Sequence, residues 1–297
     1  MSQMYYRKFR IAGITFLLDS DLQIDCGQEF ADFLTDQEPD YTIQFREVSK
    51  LKHFDMEPTA EETGFRVYLS AGGCMREFLE VDRMPYAVSE SRRDEKRVTV
   101  EYLPEGYRHI SHTGGAFFHI GWEDLLLRED RLILHACCVD TALGGILFSG
   151  PSGVGKSTQG NLWCSFEQAR MINGDRPVLY RKENTWIACG SPYAGSSRCH
   201  VNESAAVRAV VLLKQAGECS LRRLGAGEAF RRVYAQLTIG AWNPEHIKTA
   251  CDRTEQLVTE IPVYELSCTP DRDAVDLLKK NLLEEVRGAC PGKVPVH

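Results

Sequence analysis

A stretch that reads GPSGVGKST, from Gly150 to Thr158, constrains this chain more than any other feature of it. It satisfies G-x-x-x-x-G-K-[ST], a pattern that works only as a loop joining a buried strand to the N-terminus of a helix. The flanks agree with that setting. GGILFSG before it is a short apolar run suited to a buried strand, and KSTQGNLWCSF after it continues as a helix. Gly150 and Gly155 at the fixed positions, with Gly153 between them, let the backbone curl so that successive N–H groups point inward, where the positive end of the helix adds to them. Pro151, Ser152 and Val154 complete the loop. Such a nest suits the β-phosphate of ATP or GTP. Lys156 reaches the β- and γ-phosphates as a point charge, the Ser157 hydroxyl ligates Mg²⁺, and Thr158 packs against or caps the helix. At ordinary residue frequencies the four specified positions recur by accident in a chain of this size about once in a hundred. A glycine-rich turn bearing an exposed lysine is the competing reading, but each surplus glycine costs about 0.5–1 kcal/mol of conformational entropy with nothing to offset it.

Composition sets the outer limits. With 297 residues, 43% of them apolar, the chain can build one large domain or two ordinary ones. A net charge of -7 argues against a nucleic-acid partner, which demands a clustered excess of Lys and Arg. The 11 cysteines are odd in number and no pair forms Cys-x-x-Cys, so neither a disulfide framework nor a zinc ribbon is suggested, and a reducing cytoplasm fits. Near the N-terminus, RKFRIAGITFLLDSDLQIDC imitates a signal peptide, but Asp19, Asp21 and Asp25 interrupt it and no lipid-attachment sequence precedes Cys26. No apolar run approaches the roughly 20 residues that span a bilayer, so no membrane partner is expected.

The first hundred residues read as strands. YTIQFREV places Tyr41, Ile43 and Phe45 on one face, and FRVYLSA, REFLEV and RVTVEYL repeat the period of two, which predicts an antiparallel sheet with one wet face. The texture changes near LPEGYRHISHTGG. Thr113 is a candidate cap for a helix through AFFHIGWEDLLLRED, after which strands and helices alternate. LILHACCVD, GGILFSG, WIACGS and RAVVLLK read as strands, and EAFRRVYAQL and EHIKTACDRTEQLVTEI as helices. VYELSC leads to Thr269 as N-cap and Pro270 at the first position of a last helix. These patterns predict a β-rich antiparallel domain over residues 1–110 and an α/β domain over 111–297, α+β for the whole.

What the site does with a phosphate depends on the residues after the loop. Mechanical ATPases carry a second run of apolar residues ending in an acid, whereas RAVVLLK ends in Lys214. The nearest acid in a suitable setting is Asp175 in ARMINGDRPVLY. A carboxylate there can accept a proton from an attacking hydroxyl or help hold Mg²⁺. Equally, it can satisfy local N–H groups of a Gly-Asp-Arg-Pro turn. His135 reads first as a core histidine needing one partner, and second as a neutral partner for Asp175 or a phosphate. Cys137 and Cys138 beside it read as small core hydrophobes. Arg176 and Arg198 are candidate extra cations, or ordinary surface arginines, and Arg198 lies in GSPYAGSSRCH, a candidate substrate loop. Cys199 and His200 alone fall short of a metal-ligand set.

LHACCVDTALGGILFSGPSGVGKST followed by INGDRPVL resembles the catalytic domain of HPr kinase/phosphorylase and its serine-kinase-like relatives. The likeness runs over roughly residues 113 to 285, is sharp from His135 to Asp175, and extends as a fold analogy to the ATP-dependent phosphoenolpyruvate carboxykinases. It implies that Gly150 to Ser157 bind ATP or GTP with Mg²⁺, that Asp175 is the catalytic base and a metal partner with Ser157, and that His135 supports the site. Two positions depart from the family. Gly174 and Arg176 flank Asp175 where many relatives have a second acid, and Thr158 stands where HPr kinases proper place an acid. The second departure, with an N-terminal half unlike the usual partner domain, points away from HPr as substrate. The expected reaction is phosphorylation of a Ser or Thr hydroxyl on a peptide or small protein, the β-rich domain recognising the partner; a homo-oligomer is compatible with it. A carboxykinase-like or small-metabolite kinase is the alternative enzyme, and a nucleotide-binding sensor or assembly factor the alternative without catalysis.

Overall fold

The computed structural model describes residues 4–21, 24, 28–193, 195–197 and 199–288. The chain forms two compact units, one of Met1–Glu129 with Ile239–Lys248 and one of Asp130–Thr238 with Thr249–His297. No helix among the described residues is long and apolar enough to cross a membrane. Asp25, Cys26 and Arg198 lie outside the described residues.

The first unit is built on an eight-stranded sheet. Its strands are β1 (Tyr5–Ile11), β2 (Ile14–Ser20), β3 (Tyr41–Glu47), β4 (Ala60–Glu62), β5 (Phe65–Ser70), β6 (Gly73–Leu79), β7 (Pro85–Arg92) and β8 (Arg97–Tyr102), in the spatial order β1-β2-β3-β8-β7-β6-β5-β4. As far as Ser20, the run that imitates a signal peptide lies in the β1–β2 hairpin. Ala12 and Gly13 both take positive φ, 50° and 82°, which closes a two-residue turn of the twist that hairpins favour. Alternation in β3 buries Tyr41, Ile43 and Phe45 as expected, but the sheet is mixed: β3 pairs parallel with both β2 and β8. The period of two reports which face is buried and is blind to the direction of a neighbour. Three helices follow, α1 (Tyr107–Ile110), α2 (Thr113–Ile120) and α3 (Trp122–Arg128). The cap of α2 is His112, whose Nδ1 accepts from the Gly115 N–H at 3.1 Å, and not Thr113. These helices belong to the first unit, so the division falls after Glu129 and not near residue 110. Aromatic packing accounts for this: Phe117 stacks on Phe30 at 5.3 Å between centroids, and Trp122 sits 4.9 Å from Phe16 of β2.

The second unit carries β9 (Leu132–Ile133), β10 (Ala136–Thr141), β11 (Gly144–Ser149), α4 (Lys156–Glu167), β12 (Arg170–Asn173), β13 (Val178–Lys182), β14 (Thr185–Cys189), β15 (Ser204–Gln215), β16 (Ser220–Arg223), α5 (Ala226–Tyr234), the part of α6 (Pro244–Glu260) that follows Lys248, β17 (Val263–Cys268) and α7 (Arg272–Gly288). Its sheet runs β12-β10-β11-β15-β14-β13-β9, with β17 also on β15 and β16 on β17. β11, β15 and β17 are parallel and buried, and Ile146, Phe148, Val211 and Leu266 join Trp163 of α4 and Leu278 of α7 in one core. Gly160 lets α4 lie close to β10: a Cβ there would stand 2.4 Å from Cys137 Sγ. The last helix begins two residues later than the Thr269-Pro270 pair suggests. Asp271 takes the capping role, its carboxylate accepting from the Asp273 N–H at 3.1 Å and from the Thr269 hydroxyl at 2.5 Å.

Candidate functional site

The carboxyl end of β11 opens directly into the glycine loop. Gly150, Gly153 and Gly155 have φ of 141°, 77° and 107°, a region that side chains with a Cβ resist, and each glycine is used where the backbone must turn the wrong way. Around Gly153 and Gly155 nothing lies within 4 Å of where a Cβ would stand, so both glycines border open space. Gly155 is also the N-cap of α4, with no side chain bonded to the first-turn N–H groups. A helix start without a side-chain cap, in a curled glycine loop, is a cradle that fits the phosphate tail of a nucleotide. Thr158 is exposed and is not the cap, which corrects its expected packing role.

Lys156 lies along the cradle, its ammonium donating to the carbonyls of Gly150 and Pro151, each at 3.1 Å. Burial pushes its pKa below the ordinary lysine value, Asp175 opposes the shift and Arg176 adds to it. That electrostatic reach joins the lysine to the acidic turn after β12. Ser157 Oγ stands 3.4 Å from the carbonyl of Gly174, so the hydroxyl expected to ligate Mg²⁺ and Asp175 come to the same place. One hydroxyl and one carboxylate suit Mg²⁺, which takes most of its other ligands from water and phosphate. No cluster of three or more His, Cys, Asp or Glu that could hold a metal occurs among the described residues, Cys199 and His200 included.

His135 does not lie inside a strand but in the break between β9 and β10, where both of its backbone groups are fixed. Its N–H donates to the Gln236 carbonyl at 2.9 Å, and its carbonyl accepts from the Ser149 hydroxyl at 2.8 Å, one residue before the glycine loop. The imidazole Nε2 stands 3.4 Å from Asp175 Oδ1, and the two side chains are 24% and 22% exposed, open enough to meet a ligand. Burial lowers the His135 pKa, as do Lys156 and Arg176, against the pull of Asp175. The ring is therefore neutral near pH 7 and meets Asp175 as a polar partner instead of as a cation. The second Asp175 oxygen lies 3.5 Å from Arg176 Nε. Arg176 also donates to Thr238 Oγ1 and has its guanidinium 5.7 Å from the Tyr193 ring centroid, so it is part of the site's framework.

Asn173 is the residue that sequence reasoning missed. Fully buried at the end of β12, it accepts through Oδ1 from the N–H of Asp175 at 3.0 Å and of Arg176 at 2.7 Å. Its Nδ2 donates to the carbonyls of Ser191 at 3.0 Å and Tyr193 at 2.9 Å. An Asn two residues before an Asp in MINGD is the signal that could have found it, because Asn side chains close such turns on the backbone. The consequence concerns Asp175. The turn's N–H groups are bonded by Asn173, and the Asp175 carboxylate faces His135 and Arg176. Gly195, at φ 54°, lies over the same carboxylate: a Cβ there would stand 2.8 Å from Asp175 Cβ.

No protein-family model matches the chain, and no curated protein matches it. Among solved structures it is similar to the Hpr(Ser) kinase/phosphatase from Coxiella burnetii, with a TM-score of 0.30 and 14% identity over 53% of this chain and 97% of that one. The likeness is distant, and the chemistry of the site stands on its own geometry.

Proposed function

We propose that the chain is a nucleoside-triphosphate-dependent phosphotransferase with Asp175 as its general base. The observation that carries this reading is the turn after β12: Asn173 satisfies its N–H groups, and the carboxylate of Asp175 is left beside the phosphate cradle with the His135 imidazole 3.4 Å away. In the reaction, Asp175 accepts the proton of an acceptor hydroxyl as its oxygen bonds to the γ-phosphorus and the bond to the β-phosphate oxygen breaks, leaving a nucleoside diphosphate. The loop N–H groups and Lys156 hold the tail and offset the charge that develops on it. His135, neutral, orients the carboxylate without competing for the proton. Mg²⁺, for which Ser157 and Asp175 are the partners, supplies further charge neutralisation when bound with the phosphates. The acceptor is read as a Ser or Thr hydroxyl of a peptide or small protein, on the resemblance of the stretch from His135 to Asp175 to the serine-kinase-like family, with the β-rich unit recognising that partner.

Labelled ATP or GTP and the proteins or peptides encoded beside the gene provide the test. Lys156→Ala is expected to weaken triphosphate binding by about tenfold or more, as a charged hydrogen bond to phosphate is worth roughly 1.5–3 kcal/mol. Asp175→Asn is expected to keep binding within a few-fold and to lower transfer by about 10²–10⁴-fold, the usual span of general-base catalysis. Tight binding with no transfer to any hydroxyl donor by the unmodified chain overturns the kinase reading in favour of a nucleotide sensor.

A further inference from the structure

The parallel strands of the second unit end at one edge of the sheet, β11 short of β15 and β17, and their order fixes a direction along that edge. Ser149 at the end of β11 is level with Leu212 of β15, and Gln215 at the end of β15 is level with Cys268 at the end of β17. On the other flank of β11, Ala136 of β10 is level with Ser149, and β12 lies beyond β10. Read across this edge, the sequence is Asp175, His135, the glycine loop, and then the segments that follow β15 and β17. Ligands of open α/β sheets bind in the crevice outside the carboxyl ends of such strands.

A cavity of about 450 Å³ lies in that last place, within the range of small-molecule sites. The glycine loop forms one wall through Gly153, Val154 and Gly155, the first turn of α4 another through Thr158 and Gln159, and the strand ends a third through Gln215, Ala216 and Thr269. Gln215 Nε2 donates to the Gly153 carbonyl at 3.2 Å and ties the β15 wall to the loop. Gln159 is 3% exposed. Its Nε2 lies 3.2 Å from Cys268 Sγ, while its Oε1 is buried with no hydrogen-bond partner. A buried amide oxygen left unmatched in a cavity wall costs stability unless a ligand completes it.

We propose that this cavity holds the base and ribose of the nucleotide, with the Gln159 amide reading the base edge, so that the triphosphate crosses the glycine loop with its γ-end toward Asp175. The inference rests on the phosphotransferase reading for the phosphate end alone. Neither Gln159 nor Ala216 takes part in the transfer.

Calorimetric titration with magnesium tripolyphosphate and with MgATP separates the two claims. Ala216→Trp, at a partly buried position in the cavity wall, is expected to weaken MgATP at least tenfold by filling the cavity and to leave tripolyphosphate within twofold. Gln159→Leu is expected to show the same split, whereas Lys156→Ala weakens both ligands. MgATP bound as tightly by Ala216→Trp as by the unmodified chain overturns the cavity assignment and leaves the phosphate cradle standing. No binding of either ligand to the unmodified chain overturns both. As a measurement free of substitutions, photolabelling with 8-azido-ATP is expected to mark peptides containing Thr158–Gln159, Gln215–Ala216 or Cys268–Pro270, and label confined to other peptides overturns the placement.

Discussion

Asp175 is held by a neighbour that has no chemistry of its own. Asn173, fully buried, accepts hydrogen bonds from two N–H groups of the turn and donates to the backbone of Ser191 and Tyr193. Asn173→Ala leaves the two turn N–H groups and the two carbonyls to find other partners, and an unmade buried hydrogen bond costs about 1–3 kcal/mol. Displacement matters more for function, since a carboxylate misplaced by about 1 Å can lose about a hundredfold in rate. If the chain acts as the phosphotransferase proposed, we expect Asn173→Ala to lower the midpoint of thermal unfolding and to reduce phosphoryl transfer about a hundredfold, while affinity for MgATP at the glycine loop stays within a few-fold. Transfer unchanged in a folded variant would show that the turn holds itself. At this scale the cradle was legible because its pattern prescribes backbone geometry residue by residue. Asp175 was legible only as an acid with two readings, because the choice between them depends on Asn173 side-chain bonds. His135 was misplaced within a strand, since an apolar run around it does not reveal that the ladder breaks there.

The helix α2 shows how an element can carry a pH dependence. His119, on its buried face, has Nδ1 2.7 Å from the Gly115 carbonyl and Nε2 3.0 Å from the Tyr86 hydroxyl. A neutral ring satisfies both, with Nδ1–H donating to the carbonyl and the Tyr86 hydroxyl donating to Nε2. Burial pushes the His119 pKa down to about 4, with the Gly115 carbonyl opposing the shift. Because the folded value lies below the unfolded one, near 6.5, the unfolded chain binds the extra proton between them, and stability falls as pH drops through that window. The full effect is about 3 kcal/mol at roughly 1.4 kcal/mol per pKa unit, so about 2 kcal/mol is expected between about pH 7 and about pH 4.5. Urea unfolding of His119→Leu, less stable at neutral pH, is expected to show that much less acid sensitivity than the unmodified chain. Equal sensitivity would assign the acid loss to other groups. Elements of this kind were largely legible. The helical stripe through AFFHIGWEDLLLRED and the strand alternations were found because burial on one face writes itself into the period, but the single helix read there is two, α2 and α3, broken at Gly121 with φ 66°. The parallel pairing of β3 and the His112 cap were not, as one depends on chain direction across a sheet and the other on which side chain reaches an N–H.

At the scale of the molecule, the discontinuous first unit is tied by charge as well as by apolar packing. Arg76 of β6 is 2% exposed and pairs with Glu123 at 3.0 Å and with Asp124, both of α3. Asp124 accepts a hydrogen bond from His246 Nδ1 at 2.9 Å, and the Arg76 guanidinium lies 5.2 Å from the Trp242 ring centroid. Gly121, at φ 66°, makes room for it, since a Cβ there would stand 2.8 Å from Arg76 Cζ. Residues 242 and 246 belong to the segment Ile239–Lys248, which returns to this unit after more than a hundred residues spent in the other. No sequence pattern announces this, because an arginine within a strand reads as its wet face and its partners are remote in the chain. Desolvation alone would lower the arginine's pKa, and the two carboxylates outweigh it and raise it; burial would raise the Asp124 value, and Arg76 and His246 bring it down. Each charge is thus tolerable only with the others. Arg76→Leu strands Asp124 in the interior, and breaking a buried pair from one side costs about 3–5 kcal/mol. Removing both partners costs less than the sum, for the desolvation that the pair offset goes with them. Urea unfolding of Arg76→Leu, Asp124→Leu and the double variant is expected to give a double variant at least as stable as the weaker single one, whereas additive losses would mean that the two charges are stabilised independently and do not hold the segment 239–248 together.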